Sequence, residues 1–429
     1  MEAENPTDIY STLKRNVLVI AYYFPPMGLS GVQRTLKFVK YLPKFGWHPI
    51  VLTTGDLDYY AFDETLIDEL GEENITIVRT PSKGKPTKTR NFPNQFIHKL
   101  GRMYNDTFFV PDSKIGWKKQ AVNTANAIIA EHEIHAIFAT APPFTDFLIA
   151  DEISRKHDIP FLADYRDTWV DNPFKYYPTP MHKNKNLKLE HKILSHAQKS
   201  FVTTRFAKEV LLRRYRFLSH EDIFILPHGY DPEDFANANH ERHDKSKFVI
   251  THSGLFQDDR TPKYFLKALS IFLSKNKQAK EATILRFVGL MRPSHLKMAT
   301  KYKLSDNIEL TGYVTHKESI RHILDSDVLW LMMNDTYRSP GKLYEYFGAR
   351  KPIFINAPTG AMTKIVQDSG AGFVTEPDNV KDIVKKLAEL FELWQSGNLP
   401  KPNEKFVVAF DRSKITNDLA RELSLSVKY

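Results

Sequence analysis

The stretch SPGKLYEYFGARKP, residues 339–352, sets Lys342 and Glu345 three residues apart on what reads as a short helix. Pro340 and Gly341 make the turn before it, and the apolar run IFI follows Pro352. The first N–H groups of a helix have no intrahelical partner and sit at the positive end of its dipole, so a helix start favours an anion. Lys342 adds a point charge there. Glu345, on the same face, can accept hydrogen bonds from vicinal hydroxyls. A second stretch, HSGLFQDDRTPKYFLKAL (252–269), repeats the design. Gly254 lets backbone approach a ligand closely, and Arg260 brings a bidentate fork just ahead of a helix that Pro262 can open. Two such elements suit a diphosphate. Taken alone, the same residues also fit an exposed lysine, with Glu345 paired to it or to Lys351.

These residues need rigid elements to hold them. Apolar runs such as NVLVIAYYF (16–24), PIVLTT (49–54), ITIVRT (75–80), HAIFAT (135–140), PFLADY (160–165) and KSFVTT (199–204) alternate with helical patterns. Val32, Leu36, Val39 and Leu42 mark one such helix, within 31–45. A second series follows: FVITHSG (248–254), TILRFVG (283–289), NIELTGYV (307–314), DVLWLMM (327–333), PIFIN (352–356) and AGFVTE (371–376). Strands this apolar, joined by helices, predict an α/β fold of two Rossmann-like, doubly wound parallel-sheet domains facing a cleft. Ligands bind beyond the carboxyl ends of such strands. The expected domains are 1–226, a polar linker at 227–247, then 248–404, with 405–429 a helix returning to the first domain. Residues 83–119 read as an irregular, basic insertion with interleaved aromatics: Phe92, Phe96, Tyr104, Phe108, Phe109 and Trp117.

Composition narrows the classes. The 429 residues are too many for one core, and hydrophobic and charged contents of 42% and 26% are those of a globular protein. There is no cysteine, which excludes disulfides and thiolate chemistry and suits a reducing compartment. The net charge of +9 points to anionic partners: nucleic acid, lipid surface or phosphorylated ligand. The polar start, MEAENPTDIYSTLKRN, does not read as a secretory signal, and no apolar run approaches a membrane span of roughly 20 residues. A cytoplasmic protein is expected, at most peripheral on the membrane.

Blocks in order along the chain resemble a GT-B glycosyltransferase of the family 4 type found in bacterial polysaccharide synthesis. They are YYFPPMGLSGVQRTLKFVKYLPKFGWHPIVLT, ATAPPFTDFLIA (139–150), ADYRDTW (163–169), LPHGYDPEDF (226–235), PGKLYEYFGARKPIF and GAGFVTEPDNVKDIVKKL. The resemblance implies retaining transfer of a sugar from a nucleotide-diphosphate sugar to a glycan or lipid-linked hydroxyl, with no metal or other cofactor. Arg260 and Lys342 would stabilise the leaving diphosphate. The implied donor-binding set is Gly254, Arg260, Gly312, Val314, Tyr337, Ser339, Gly341, Lys342, Leu343 and Glu345. In the family pattern a Glu-x7-Glu pair ends at the ribose-binding glutamate, here Glu345. It begins at a sugar-contacting glutamate, and that position is Tyr337, which has a hydroxyl and a ring but no charge. Arg260 stands where many members have lysine. On the acceptor or sugar side the set is Gly28, Gly31, Thr140, Phe144, Asp164, Arg166 and Asp167. Phe144 takes a position often held by histidine, with Thr145 or Asp146 as alternative sources of polarity. Asp164, Arg166 and Asp167 fit an acceptor-orienting role or a buried ion pair.

Several features have competing readings. Asp56-Leu57-Asp58 has the Asp-x-Asp form of a metal-dependent transferase but follows the wrong kind of strand. His132 with His135, and His240 with His243, have partial metal spacing without a third ligand. GLSG (28–31) is a glycine turn before a helix. An epimerase of the same fold, or a protein that binds donor without turnover, remains an alternative. Nucleic acid is not an expected partner, because the aromatics form no strand-binding pattern. The basic insertion fits an anionic membrane surface.

Overall fold

The computed structural model describes residues 15–28, 30–55, 62–71, 75–81, 95–236, 244–256 and 260–427. The chain divides into two compact units, one running to Pro227 and resuming at Arg412, the other from His228 to Asp411. The first holds seven strands: β1 (Arg15–Ile20), β2 (Trp47–Thr53), β3 (Thr76–Arg79), β4 (Ala136–Ala141), β5 (Phe161–Tyr165), β6 (Lys199–Val202) and β7 (Ile223–Ile225). They pair in parallel in the order β3-β2-β1-β4-β5-β6-β7. The second holds β8 (Phe248–Ser253), β9 (Thr283–Val288), β10 (Ile308–Gly312), β11 (Val328–Met332), β12 (Ile353–Asn356) and β13 (Gly372–Thr375). Their order is β10-β9-β8-β11-β12-β13, again parallel. Both are the doubly wound sheets expected, and the winding reverses at β1/β4 and at β8/β11.

The strands are apolar on both sides because helices cover both faces. In the first unit Leu18 and Ile20 join one buried cluster while Val17 and Val19 join another. The second unit repeats this, with Trp330 on one face of β11 and Leu329 and Leu331 on the other. Alternate residues of one strand therefore enter different cores, and no polar face is left.

Three stretches differ from expectation. The helix read at 31–45 is α-helical over Ser30–Tyr41 and tightens to a 3-10 turn at Leu42–Phe45, where Pro43 removes a donor. Residues 228–236 and 405–411 group with the second unit: Tyr230 bridges Asp411, and Phe410 stacks on Phe347. The return to the first unit is the helix Arg412–Ser426, whose Ile415, Leu419 and Leu423 enter its core. The insertion is not irregular over its described part. It forms a helix, Gln95–Phe108, and Trp117 is buried, its ring N–H donating to the Thr80 hydroxyl at 3.0 Å.

Candidate functional site

The carboxyl ends of β8, β9 and β10 carry Gly254, Gly289 and Gly312, with φ of 106°, 120° and 72°. These are left-handed values that side chains resist. The Gly254 N–H donates to the Val288 carbonyl at 2.6 Å, and the Gly289 N–H donates to the Gly312 carbonyl at 2.9 Å. The three turns are thus laced into one rim. A Cβ on Gly289 would lie 3.3 Å from the Gly254 Cα, so its small size is part of the lacing.

Onto this rim comes Lys342. The helix Gly341–Gly348 follows β11, and no side chain caps its start. Lys342 lays its ammonium over Gly254 and donates to the Ser253 carbonyl. A Cβ at Gly254 would stand 1.4 Å from Nζ, so the glycine makes the seat of the lysine. Burial, with the Arg260 guanidinium as a second cause, pulls the Lys342 ammonium down to about 7, and Glu345 opposes the shift. The sequence pairing of Gly254, Arg260, Lys342 and Glu345 is therefore also a pairing in space. The Glu345 carboxylate is partly exposed and has no hydrogen-bond or ion-pair partner among the described residues. Gly341 opens the helix, and Ser339 is buried with its hydroxyl 2.9 Å from that of Tyr344. Tyr337 is 41% exposed. Val314 follows Gly312, partly exposed, just before the capping box of Thr315 and Glu318. Leu343 corrects the expected set: its side chain is fully buried in the core and its N–H is taken by the Pro340 carbonyl.

Three residues that sequence reasoning missed hold this site. Tyr346, one turn after Lys342, accepts the Ser253 N–H at 2.9 Å and donates to the Trp330 carbonyl at 3.2 Å. It fixes the strand end on which Lys342 rests, and burial raises its phenol above the ordinary range. Its i+4 spacing from Lys342 was the available signal. Asp335 accepts the N–H groups of Tyr337 and Arg338 and pairs with the Arg338 guanidinium, shaping the loop before the helix. His252 donates from Nδ1 to the Trp330 carbonyl and stacks on Phe256 at 4.2 Å. Burial, with Lys342 next, keeps it neutral.

In the first unit, the expected acceptor-side residues are largely satisfied by one another. Asp164 is fully buried and takes two bonds from the Arg34 guanidinium, at 2.7 and 3.0 Å. The Thr140 hydroxyl donates to the same carboxylate at 2.8 Å. Arg34 also donates to the Leu226 and Pro227 carbonyls. The buried ion pair is therefore Arg34–Asp164, a partner outside the expected set of Asp164, Arg166 and Asp167, and it locks the strand ends together. Arg166 donates to the carbonyls of Gly31 and Pro142, bracing the glycine turn. Phe144 is a core residue, 5% exposed and stacked on Trp169 at 4.5 Å. Its apolar ring gains more there than in a polar site. The Thr145 hydroxyl donates to Asp112, and Asp146 accepts the Tyr22 N–H with one carboxylate oxygen while the other, Oδ1, is buried without a hydrogen-bond partner among the described residues. Gly28 is buried, and Gly31 and Asp167 retain exposure. Of the competing metal readings, His135 accepts the Asn16 N–H at its Nδ1 and His132 is exposed. Asp56, Leu57, Asp58, His240 and His243 lie outside the described residues.

Residues 233–405 match the family model described as glycosyl transferases group 1. The second unit is a glycosyltransferase domain. Among solved structures, sucrose-phosphate synthase from Thermosynechococcus elongatus superposes with a TM-score of 0.68 at 13% identity, covering 96% of this chain and 98% of that one. HepE from Anabaena, in complex with UDP and glucose, gives 0.64 at 14% identity, covering 96% and 100%. A putative UDP-N-acetylglucosamine 2-epimerase from Listeria monocytogenes gives 0.58 at 13% identity, covering 95% of each. At these identities the likeness is one of fold, and the fold is GT-B. No curated protein matches the chain.

Proposed function

We propose that the chain transfers a sugar from a nucleoside-diphosphate sugar to an acceptor hydroxyl, with retention at the anomeric carbon and without a metal. The observation that carries this is the Lys342 ammonium seated on Gly254 at the β8/β11 switch point, with Arg260 beside it and an uncapped helix start beneath. The anomeric carbon–oxygen bond to the diphosphate breaks as the acceptor oxygen bonds to the same carbon. The leaving phosphate oxygen takes the acceptor proton on the same face. Charge gathering on the diphosphate meets two fixed cations and helix N–H groups, which is electrostatic stabilisation aimed at the transition state. Glu345 accepts hydrogen bonds from the ribose hydroxyls, and Tyr337 faces the sugar. HepE, whose structure holds UDP and glucose, is consistent with a uridine nucleotide as the first donor to try.

The acceptor is a glycan or lipid-linked hydroxyl, and the setting is the cytoplasmic side of a membrane. Among the described residues no helix is long and apolar enough to cross one. A screen of nucleotide sugars for thermal stabilisation tests the reading, since a ligand of the native state raises the melting temperature by mass action. Glu345→Gln should weaken binding of the nucleoside diphosphate even without its sugar. Unchanged nucleotide affinity in that variant, with only sugar preference altered, refutes the ribose role. Sugar product formed from donor alone, with inverted configuration at a ring carbon other than the anomeric one, would replace transfer by epimerisation.

A further inference from the structure

The helix Gln95–Phe108 carries its apolar stripe outward. Leu100, Tyr104 and Phe108, spaced four apart, are 49%, 59% and 66% exposed. Arg102, Asn105, Asp106 and Thr107, on its other sides, are partly buried. A surface helix of a globular protein ordinarily shows the reverse arrangement. The polar side is occupied by the fold. The Asp106 carboxylate accepts the Tyr176 N–H at 3.1 Å, and the Thr107 carbonyl accepts from His182 Nε2 at 3.1 Å. These bonds bring alongside it the start of the helix Pro180–Leu194, with Tyr176 39% and Met181 71% exposed. Single exposed apolar side chains are ordinary, but five large ones on two segments bonded to each other form a patch.

The charge around the patch selects its occupant. Lys183, Lys185 and Lys188 are exposed on the Pro180–Leu194 helix, whose one acid, Glu190, is buried. We propose that this face docks on an anionic lipid surface. Leu100, Tyr104, Phe108 and Met181 enter the boundary between headgroups and acyl chains, and the lysines lie over the headgroups. A second copy of the chain is the poorer occupant, because it would bring the same lysines against each other. The proposal names the membrane partner of the transferase reading and rests on that reading only for its purpose, which is to present a lipid-linked acceptor.

Co-sedimentation of the full chain with vesicles tests it, using phosphatidylcholine alone or mixed with phosphatidylglycerol. Binding should require phosphatidylglycerol and fall as salt rises. Lys183→Ser with Lys185→Ser should weaken it about fivefold per lysine. Tyr104→Ser with Phe108→Ser should weaken it by about tenfold or more. Both pairs are on the surface, so the melting temperature and nucleoside-diphosphate affinity should not change. Absence of binding at low salt overturns the proposal. So does equal binding by wild type and the Tyr104/Phe108 variant, or a wild-type dimer that this variant converts to monomer while vesicles are ignored. A chain that binds vesicles but no nucleotide sugar would sink the transferase reading and leave the face intact.

Discussion

Raising the pH from about 6 to about 9 should strip the proton from Lys342 and weaken donor binding with it. The ammonium is desolvated against the Ser253 carbonyl and faces Arg260, which together bring it down to about 7. A diphosphate favours the protonated form, so binding must take up a proton wherever the free protein has lost one. Affinity should be flat below that value. Above it, affinity should fall about tenfold per pH unit until the lysine of the complex itself titrates, or about 10²-fold over two units. Calorimetry in two buffers of different ionisation enthalpy should show uptake of about half a proton near pH 7. The donor should be a nucleotide sugar, whose diphosphate has no group titrating in this range. Lys342→Met should bind weakly with a flat profile. Stability should run the other way. The folded value lies below the unfolded one of 10.5, so between the two the unfolded chain holds more protons. The stability of wild type relative to Lys342→Met should therefore rise with pH over that window, by at most about 1.4 kcal/mol per unit. A wild-type affinity that is level from about pH 6 to 9 refutes the reasoning, as does an equal slope in the methionine variant.

Three further outcomes are expected. Gly254→Ala places a Cβ where the Lys342 Nζ now lies, at a φ of 106°, so donor affinity should drop about tenfold or more with the circular dichroism unchanged. Arg34→Met removes the ion-pair partner of the fully buried Asp164 carboxylate, which should cost about 3–5 kcal/mol in urea melts while the surviving folded protein binds nucleotide normally. His295 is buried, and desolvation, with Arg292 next, takes it from 6.5 to about 4. Below pH 6.5 the unfolded chain binds its proton first, so about 3 kcal/mol of stability should be lost on acidification to pH 4. His295→Phe should flatten that acid limb.

The strands were legible because both faces of each sheet are covered, which buries runs such as FVITHS and VLWLM along their whole length. The strand β7 was not read: it has three residues at a sheet edge, two of them not fully buried, and its run passes straight into polar chain. The helix in the insertion was also missed, although Leu100, Tyr104 and Phe108 have helical spacing. The stretch is basic and contains proline, and the stripe faces solvent rather than a core. Gly254, Lys342 and Glu345 could be read because glycine, cation and carboxylate each have few reasons to stand at such positions. His252 could not, since a lone histidine in an apolar run reads as core until its hydrogen bonds are seen, and Tyr346 offered only its i+4 spacing from Lys342.

The two switch points differ in how their charged side chains are partnered. At the β1/β4 end, Asp164 spends both oxygens on Arg34 and Thr140, the Arg166 guanidinium is taken by carbonyls, and the Thr145 hydroxyl is held by Asp112. Of the charged residues in ADYRDTW, Asp164 and Arg166 close on the fold, while Asp167 retains exposure. At the β8/β11 end, Lys342 has three donors and gives one to Ser253, Glu345 has no hydrogen-bond or ion-pair partner among the described residues, and the helix start lacks a side-chain cap. Folding does not repay that arrangement, because a desolvated cation with one acceptor is costly. A bound anion would repay it by supplying the missing acceptors. Thr140, Phe144 and Asp164 are tied into the fold by their own contacts, so substituting them should lower the melting temperature.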